Sequence, residues 1–249
     1  MSSGYSVRNG ERSGNRRLRV LGSDEGGMRP LAIDCFCGLG GWTEGLLMEG
    51  YRVIGFDIEH HVYGEHRYPA QLVLQDVLTI HGSQFKNAAL IVASPPCEAY
   101  SYMAMPWSKA KQQIRDYERG VRDVKQLTAL FDACFRIQRE ASEAAGHVIP
   151  MVVENVRGAQ RWVGRARWHF GSFYLWGDIP ALMPHGAALK GAGDGWFNDA
   201  KRKGGSETGR LSQSGSRSPA RKAASAMIAK IPLALSRHIA RIYYPRMTL

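Results

Sequence analysis

Short apolar runs that alternate with helical patterns organise the chain from residue 31 onward. Five of these runs lack polar alternation and are rich in Val, Ile and Leu, which is typical of parallel strands covered on both faces. They are LAIDCFC at 31–37, RVIGFDI at 52–58, AQLVLQD at 70–76, ALIVASP at 89–95 and PMVVENV at 150–156. A further run, GSFYLWGD at 171–178, predicts one more strand.

Helical patterns lie between and after these strands. Residues 42–50 predict a short helix closed by Gly50, and residues 120–145 predict a long helix with an apolar stripe. The stripe consists of Val121, Val124, Leu127, Leu130, Phe131, Cys134 and Ile137. A closing helix is predicted over 226–244, with Pro232 near its start. Strands alternating with helices predict an α/β fold with an open, doubly wound, mostly parallel sheet.

Length and composition narrow the class of protein. A chain of 249 residues with 44% apolar residues is long enough for one large domain with a full core. No stretch approaches the roughly 20 apolar residues of a membrane span, and the first residues lack the apolar core of a signal peptide. The four cysteines form neither a zinc-like pair nor a disulfide framework. We therefore expect a cytoplasmic protein with reduced thiols, no metal and no membrane partner, and we expect a monomer.

The net charge of +11 is concentrated in two segments. Residues 1–30 carry six Arg against three acids and predict a flexible basic arm, while residues 31–249 predict a single domain. Residues 186–222 carry eight Lys and Arg against three acids, and 186–215 contain eight glycines without periodic pattern. The second segment therefore predicts an exposed insertion that meets a polyanion.

The loop after the first predicted strand, DCFCGLGG, has the composition of a cofactor-binding turn. Gly38, Gly40 and Gly41 allow the backbone to turn tightly and approach a ligand, although a plain helix-packing turn needs glycines too. Asp34 precedes this loop. Asp57 ends the second strand about twenty residues further on, where a carboxylate can bind the hydroxyls of a ribose.

The spacing of these glycines favours a cofactor without phosphates. The pattern is G-x-G-G rather than G-x-G-x-x-G, and no Walker lysine follows. S-adenosylmethionine fits, because it offers a ribose and carries no pyrophosphate. Asp76, at the end of the third strand, is positioned to accept the adenine amino group, although Asp is also a common turn former.

Two later strands end in residues suited to catalysis. Carboxyl ends of parallel strands lie beside the ligand in such a sheet. One strand ends in SPPC, where Pro95 and Pro96 stiffen the turn that presents the Cys97 thiol, a potential nucleophile. The other ends in Glu154, a potential proton donor. A buried core cysteine and a helix-capping glutamate are the alternative interpretations.

These three motifs, DCFCGLGG, SPPCEAYS and ENV, occur in an order that resembles the DNA cytosine-5 methyltransferases. The resemblance covers residues 31–105 and 150–157, and more loosely the closing segment AKIPLALSRHIA. It implies a Rossmann-like domain of the S-adenosylmethionine-dependent methyltransferase type, acting on double-stranded DNA. It also implies that the target cytosine is flipped out of the helix, since a stacked base hides carbon 6.

The resemblance also implies roles for individual residues. Cys97 would add to carbon 6 of cytosine, and Glu154 would engage ring nitrogen 3. Arg165 and Arg167, in GRAR, stand near the place of the family's arginine pair and are counted among the catalytic residues. The implied cofactor pocket consists of Asp34, Phe36, Gly38, Leu39, Gly40, Gly41, Asp57, Ile58, Asp76, Val77 and Pro96.

The chain also departs from the family's pattern. Glu98 stands where the family usually has Gln, the closing segment lacks the usual Gly-Asn, and no large target-recognition domain is present. The tract at 186–215 takes that domain's place, so we expect it to bind DNA and to read a short target. Its candidate DNA-binding residues are Lys190, Lys201, Arg202, Lys203 and Arg210.

Three other functions remain open from the sequence. SPPC also resembles the Ser-Pro-Pro-Tyr of enzymes that methylate the exocyclic amine of cytosine (N4) or adenine (N6). The same thiol chemistry also serves RNA cytosine-5 methylation. A nucleic-acid-binding protein with a decayed cofactor site is the alternative that involves no catalysis.

Overall fold

The structure, a computed structural model, describes residues 28–101, 107–184 and 218–245. Its nine strands are β1 (Leu31–Cys35), β2 (Arg52–Asp57), β3 (Val62–Tyr63), β4 (His66–Arg67), β5 (Gln71–Leu74), β6 (Ala88–Ala93), β7 (Met151–Asn155), β8 (Trp168–Phe170) and β9 (Phe173–Gly177). Its six described α-helices are α1 (Gly41–Met48), α2 (Trp107–Glu118), α3 (Val124–Ala145), α4 (Gln160–Val163), α5 (Pro219–Ala229) and α6 (Leu233–Tyr243).

Seven strands form one mostly parallel sheet. Their order is β5-β2-β1-β6-β7-β9-β8, and only β9 runs against its neighbours. The strands β3 and β4 form a separate hairpin. The predicted α/β class and mostly parallel sheet are therefore confirmed, and the arrangement is compatible with a Rossmann-like fold.

The order of the strands reverses at β1. From β1 the chain moves outward to β2 and β5, then returns to place β6 and β7 on the other side of β1. Open α/β sheets bind ligands at such a reversal, in the crevice outside the carboxyl ends of the strands. The loops that follow β1 and β6 therefore flank the position where this fold is suited to bind a ligand.

Helices cover both faces of the sheet, as the unbroken apolar runs predicted. On one face, Trp42 and Leu46 of α1 pack with Leu235 and Ile239 of α6 over the sheet. On the other face, α3 buries a stripe that includes Phe131, Cys134 and Ile137. Val121, expected in that stripe, is 73% exposed, because α3 begins only after its N-cap, Asp123.

Two glycines of α1 allow it to lie close to the carboxyl-terminal segment. A Cβ atom on Gly41 would lie 2.4 Å from the backbone nitrogen of Ile231, and one on Gly45 would lie 2.3 Å from Ser236 Oγ. Ion pairs tie the same elements together, with Lys230 Nζ 2.5 Å from Glu44 and Arg237 Nε 2.6 Å from Glu49. The start of α1 therefore depends on contacts with residues nearly 190 positions later.

The prediction of one closing helix over 226–244 is wrong. The segment contains two helices, α5 and α6, with Pro232 at the N-cap of α6. Proline lacks an N–H and disfavours helical backbone at the preceding residue, so the chain breaks there. The helix α2, the strand β8 and the β3–β4 hairpin were not predicted.

Several expectations concern other parts of the chain. The basic arm at 1–30 lies almost entirely outside the described residues, and the insertion at 186–215 lies wholly outside them. None of the helices in the described ranges combines the length and apolar character that crossing a membrane requires.

Candidate functional site

The loop between β1 and α1 has an unusual backbone. Three of its residues have positive φ angles: Phe36 at 59°, Gly38 at 49° and Gly40 at 78°. A bulky residue rarely adopts this conformation, so Phe36 is a position of local strain, and such strain clusters at functional sites. The Gly40 N–H donates to the Cys37 carbonyl at 2.7 Å, which closes the turn.

The three glycines of this loop have different surroundings. A Cβ atom on Gly38 would meet nothing within 4 Å. One on Gly40 would lie 2.5 Å from the Pro69 ring, and Gly41 packs against Ile231 as described above. Packing therefore requires glycine at positions 40 and 41, which agrees with the alternative interpretation of this loop as a helix-packing turn. Gly38 is the glycine whose open side a ligand can approach.

Asp57 lies at the end of β2, beside Gly38. One carboxylate oxygen accepts the Gly38 N–H at 2.9 Å, and the other accepts the Glu59 N–H at 3.2 Å. His61 Nε2 lies 3.5 Å from the second oxygen. Burial alone would raise the pKa of Asp57, but the hydrogen bonds from His61, Gly38 and Glu59 outweigh burial and lower it. The carboxylate is therefore charged, and its oxygens keep lone pairs for further donors such as ribose hydroxyls.

The neighbouring positions of the predicted cofactor pocket vary in exposure. Ile58 is 74% exposed beside Asp57, and it offers an apolar surface to a flat ring. Leu39 and Val77 are buried. Asp76 is exposed, and one of its oxygens caps a 3-10 helix by accepting the Leu78 N–H at 2.9 Å. The turn-forming role of Asp76 is therefore present, and its second oxygen remains the candidate contact for adenine.

Asp34 lies behind the loop rather than on its open side. The Asp34 side chain is buried, and Thr43 of α1 donates a 2.6 Å hydrogen bond to one of its oxygens. The Tyr68 hydroxyl lies 2.7 Å from Thr43 Oγ1, and it acts as the donor because Thr43 uses its single proton on Asp34. The other Asp34 oxygen is buried without a partner among the described residues.

Burial raises the pKa of Asp34 to about 7, and the charge of Asp57 adds to this, against the opposing hydrogen bond from Thr43. The Tyr68 ring also fills the space beside Gly40 and Gly55, where a Cβ atom would lie 3.2 Å and 2.3 Å from it. The chain Asp34–Thr43–Tyr68 thus supports the loop from below. No local pattern in the sequence indicates Thr43 or Tyr68, because their role depends on the hairpin folding back over β2.

Cys97 lies in the short turn that follows β6. Pro95 is buried and Pro96 is exposed, and the Tyr100 N–H donates to the Cys97 carbonyl at 3.0 Å. Cys97 is half-buried, whereas the other three cysteines of the chain are buried. Burial raises the pKa of each of those three thiols, Cys35, Cys37 and Cys134, which makes them unreactive. Cys97 is therefore the cysteine with access to a ligand.

Three hydrogen bonds join the three motifs. The Asn155 side-chain amide donates to the Pro95 carbonyl at 3.0 Å, and both partners are buried. The Trp42 indole N–H donates to Ser94 Oγ at 3.0 Å, and the Ser94 N–H donates to the Cys35 carbonyl at 3.2 Å. The SPPC turn is thus held by the ENV strand on one side and by the glycine loop and its helix on the other.

Glu154 is 2% exposed, near the end of β7. It pairs with Leu175 of β9, and cross-strand partners share a face, so Glu154 lies on the face covered by α1 and α6. Ala93 of β6 pairs with Val153, which places Ser94 level with Glu154. The Glu154 carboxyl therefore lies one strand away from the turn that presents Cys97.

A cavity of about 750 Å3 lies beside this turn. Pro95, Pro96 and Glu98 form one wall. Gln126 and Leu130 of α3, together with the turn before that helix, form the other. A cavity of this size suits a small ligand or a single nucleotide. Glu98 is exposed at its wall.

Arg165 and Arg167 lie at the edge of the sheet that the antiparallel strand β9 and its neighbour β8 form. Both are exposed and precede β8, which β9 separates from β7. Their assignment as catalytic residues stays a prediction. The candidate DNA-binding residues at 190, 201, 202, 203 and 210 lie outside the described residues, so their assignment is a prediction too.

No model of a known protein family matches the chain. A search of curated proteins also gave no match.

The Asp34 carboxyl predicts a specific pH dependence of stability. Between about pH 4 and pH 7 the folded state holds a proton on Asp34 that the unfolded state releases, so the free energy of unfolding decreases as pH rises through this window. Asp34→Asn keeps the acceptor for Thr43 and removes this titration. Relative to wild type, the variant should gain on the order of 4 kcal/mol between pH 4 and pH 8.

Urea denaturation at several pH values measures this difference. Asp132→Asn is the matched control, since Asp132 also accepts a Thr hydroxyl, from Thr128 at 2.8 Å, but is exposed. Curves for Asp34→Asn that run parallel to wild type from pH 4 to pH 8 would refute the prediction.

We expect the hydrogen bond from the Asn155 amide to keep the Cys97 turn rigid. Asn155→Asp keeps the acceptor for the Val156 N–H but replaces the donor to the buried Pro95 carbonyl with an oxygen. Loss of this bond should reduce the free energy of unfolding by about 1–3 kcal/mol. It should also accelerate alkylation of Cys97 by iodoacetamide, measured by peptide mass spectrometry.

Asn87→Asp, at an exposed position before β6, is the control for the change in charge. Equal stability and equal alkylation rates in the two variants would show that the Asn155 bond does not hold the turn.

Proposed function

We propose that the protein transfers a methyl group from S-adenosylmethionine to carbon 5 of cytosine in double-stranded DNA. The observation that carries the proposal is the pair of hydrogen bonds that unites the glycine loop, the Cys97 turn and the Glu154 strand, namely Asn155 to Pro95 and Trp42 to Ser94. Motifs that are about sixty residues apart in the chain thus meet at the carboxyl edge of the sheet. They meet beside the reversal of strand order, where such folds bind ligands.

The residues of the glycine loop fit the cofactor. Asp57 supplies a charged acceptor for the ribose hydroxyls, Gly38 leaves the approach open, and Ile58 offers an apolar surface to the adenine ring. When bound, S-adenosylmethionine supplies an electrophilic methyl group. The absence of any phosphate in this cofactor agrees with a loop that lacks the G-x-G-x-x-G spacing.

Cys97 and Glu154 activate the base in this proposal. Carbon 5 of cytosine is a poor nucleophile because the ring is electron-poor. Addition of the Cys97 thiolate to carbon 6, with Glu154 holding a proton at nitrogen 3, gives carbon 5 the character of an enamine carbon. After methylation of carbon 5, loss of its proton and departure of the thiolate restore the aromatic ring.

The surroundings suit these two roles. Cys97 is the accessible cysteine of the chain, and its turn is fixed by two prolines and by Asn155. Glu154 is buried, so water competes weakly for hydrogen bonds to its carboxyl group. A fixed thiol and a fixed carboxyl reduce the entropy that is lost when the base is aligned.

Incubation with S-adenosylmethionine and DNA, followed by nucleoside analysis, tests the proposal directly. Wild type should produce 5-methylcytosine, and duplex DNA containing 5-fluorocytosine should give an adduct that survives denaturation. Cys97→Ala should abolish both the product and the adduct while S-adenosylmethionine binding persists. Cys134→Ala, which removes a buried thiol from α3, should retain both.

The other products identify the rival functions. A methyl group on an exocyclic amine, with full turnover by Cys97→Ala, would replace the thiol mechanism with amine methylation. Methylated RNA with unmodified DNA would assign the same chemistry to RNA. No methylated base of either kind would refute the proposed activity.

We expect the Asp57 carboxylate to contribute to the affinity for the cofactor. Asp57→Ala removes a charge-assisted acceptor worth about 1.5–3 kcal/mol, so calorimetry should show binding of S-adenosylmethionine that is roughly tenfold weaker or more. Glu59→Gln, at the exposed neighbouring carboxylate, is the control and should bind as wild type does. Unchanged affinity in a folded Asp57→Ala variant would restrict Asp57 to a structural role.

A further inference from the structure

The helix α2 is fixed beside the Cys97 turn through its inner face. The Gln113 side-chain amide donates to the Ala99 carbonyl at 3.4 Å, two residues beyond Cys97. Tyr117 packs edge-on against Trp162 of α4, with ring centroids 5.3 Å apart. An ion pair between Glu118 and Arg161 ties the same two helices together. The helix therefore bridges the Cys97 turn and the segment that follows Glu154.

The outer face of α2 carries unneutralised positive charge. Lys111 and Arg115 of α2 and Arg119, the residue after it, recur every fourth residue. The Arg119 N–H donates to the Arg115 carbonyl at 2.9 Å, which continues the helical turn, so the three lie in one row with a rise of about 6 Å between successive members. All three are exposed, and no ion pair among the described residues involves any of them. We call these three residues the α2 basic row.

The two acidic residues of α2 are engaged elsewhere. Asp116 lies 3.8 Å from Arg122 and accepts a 2.7 Å hydrogen bond from Gln112, and Glu118 pairs with Arg161. At the amino end of α2, Trp107 is 66% exposed, with Lys111 Nζ 5.2 Å from its ring centroid. A positive row next to an exposed indole is a surface that suits a nucleic acid, where phosphates and base or sugar faces occur together.

We propose that the α2 basic row binds the phosphate backbone of duplex DNA on the flank of the target base. This inference rests on the proposed function, since it assigns a contact surface to the same substrate. A base that reaches Cys97 brings its backbone to within a few residues of this turn, and α2 is attached to the turn through Gln113. The row supplies part of the affinity and sets the orientation of the duplex, while carrying no base specificity.

Anisotropy of a labelled duplex of about 25 base pairs, measured from 50 to 200 mM salt, tests the assignment. Replacing Lys111, Arg115 and Arg119 together with Gln should weaken binding at least tenfold. It should also make the slope of log affinity against log salt shallower by about two to three, at roughly 0.9 per phosphate contact.

A matched triple variant controls for net charge. Arg52, Lys86 and Arg139 are exposed. Arg52 begins β2 and Lys86 precedes β6, so both lie at the amino ends of strands, opposite the Cys97 turn. Their replacement with Gln removes three charges too, and should leave both the affinity and the slope near wild type. Equal losses in both triple variants, or no loss in the α2 variant, would overturn the proposal.

Two further readouts separate this inference from the proposed function. Duplex RNA of the same sequence, if bound as tightly as DNA with the same dependence on the row, would overturn the assignment to DNA. Nucleoside analysis is performed on the same preparations. If the α2 variant alone loses DNA binding and wild type yields no methylated product, the surface is upheld and the activity is refuted. If wild type methylates DNA and the α2 variant binds DNA as wild type does, the activity is upheld and the surface is refuted.

Discussion

The hydrogen bond from the buried Asn155 amide to the Pro95 carbonyl is the constraint on which the site depends. Neither proline in the SPPC turn has an N–H, so neither can donate a backbone hydrogen bond to hold the turn. Asn155 provides the missing donor from the adjacent strand, and Ser94 fixes the start of the turn against the glycine loop. The position of Cys97 is thus determined by three strands at once, rather than by the flexibility of a surface loop.

A second constraint acts beneath the glycine loop, where polar groups are buried instead of exposed. Asp34 occupies a site in which its charge is disfavoured, and it keeps one hydrogen-bonded oxygen, toward Thr43. Asp57, about one strand away, is held as an anion by several donors. Two carboxyl groups at the ends of neighbouring strands thus prefer opposite charge states, because one faces helix α1 and the other faces the open side of the loop.

Most strands of the sheet could be predicted from the sequence, because they are buried on both faces and therefore form continuous apolar runs. The places of Gly38, Asp57 and Cys97 at strand ends followed too, since each stands at or just after the end of such a run. Other features depend on contacts that leave no local pattern. Tyr68 reaches Gly40 and Gly55 only because a short hairpin folds back. The helix α2 is polar on most of its surface, and its inner face is fixed by Gln113 and Tyr117 rather than by an apolar stripe.

The close contact of α1 with the carboxyl-terminal helices has a consequence for how the protein is made. Gly41 and Gly45 allow α1 to touch Ile231 and Ser236, and Tyr51 donates to the Ala240 carbonyl across 189 residues. Contacts between such distant residues form late, because a long loop must first be closed. During synthesis on the ribosome, the first strand and its glycine loop therefore emerge long before their final packing partners. The nascent domain completes the packing around its glycine loop only after residues 231–240 have emerged.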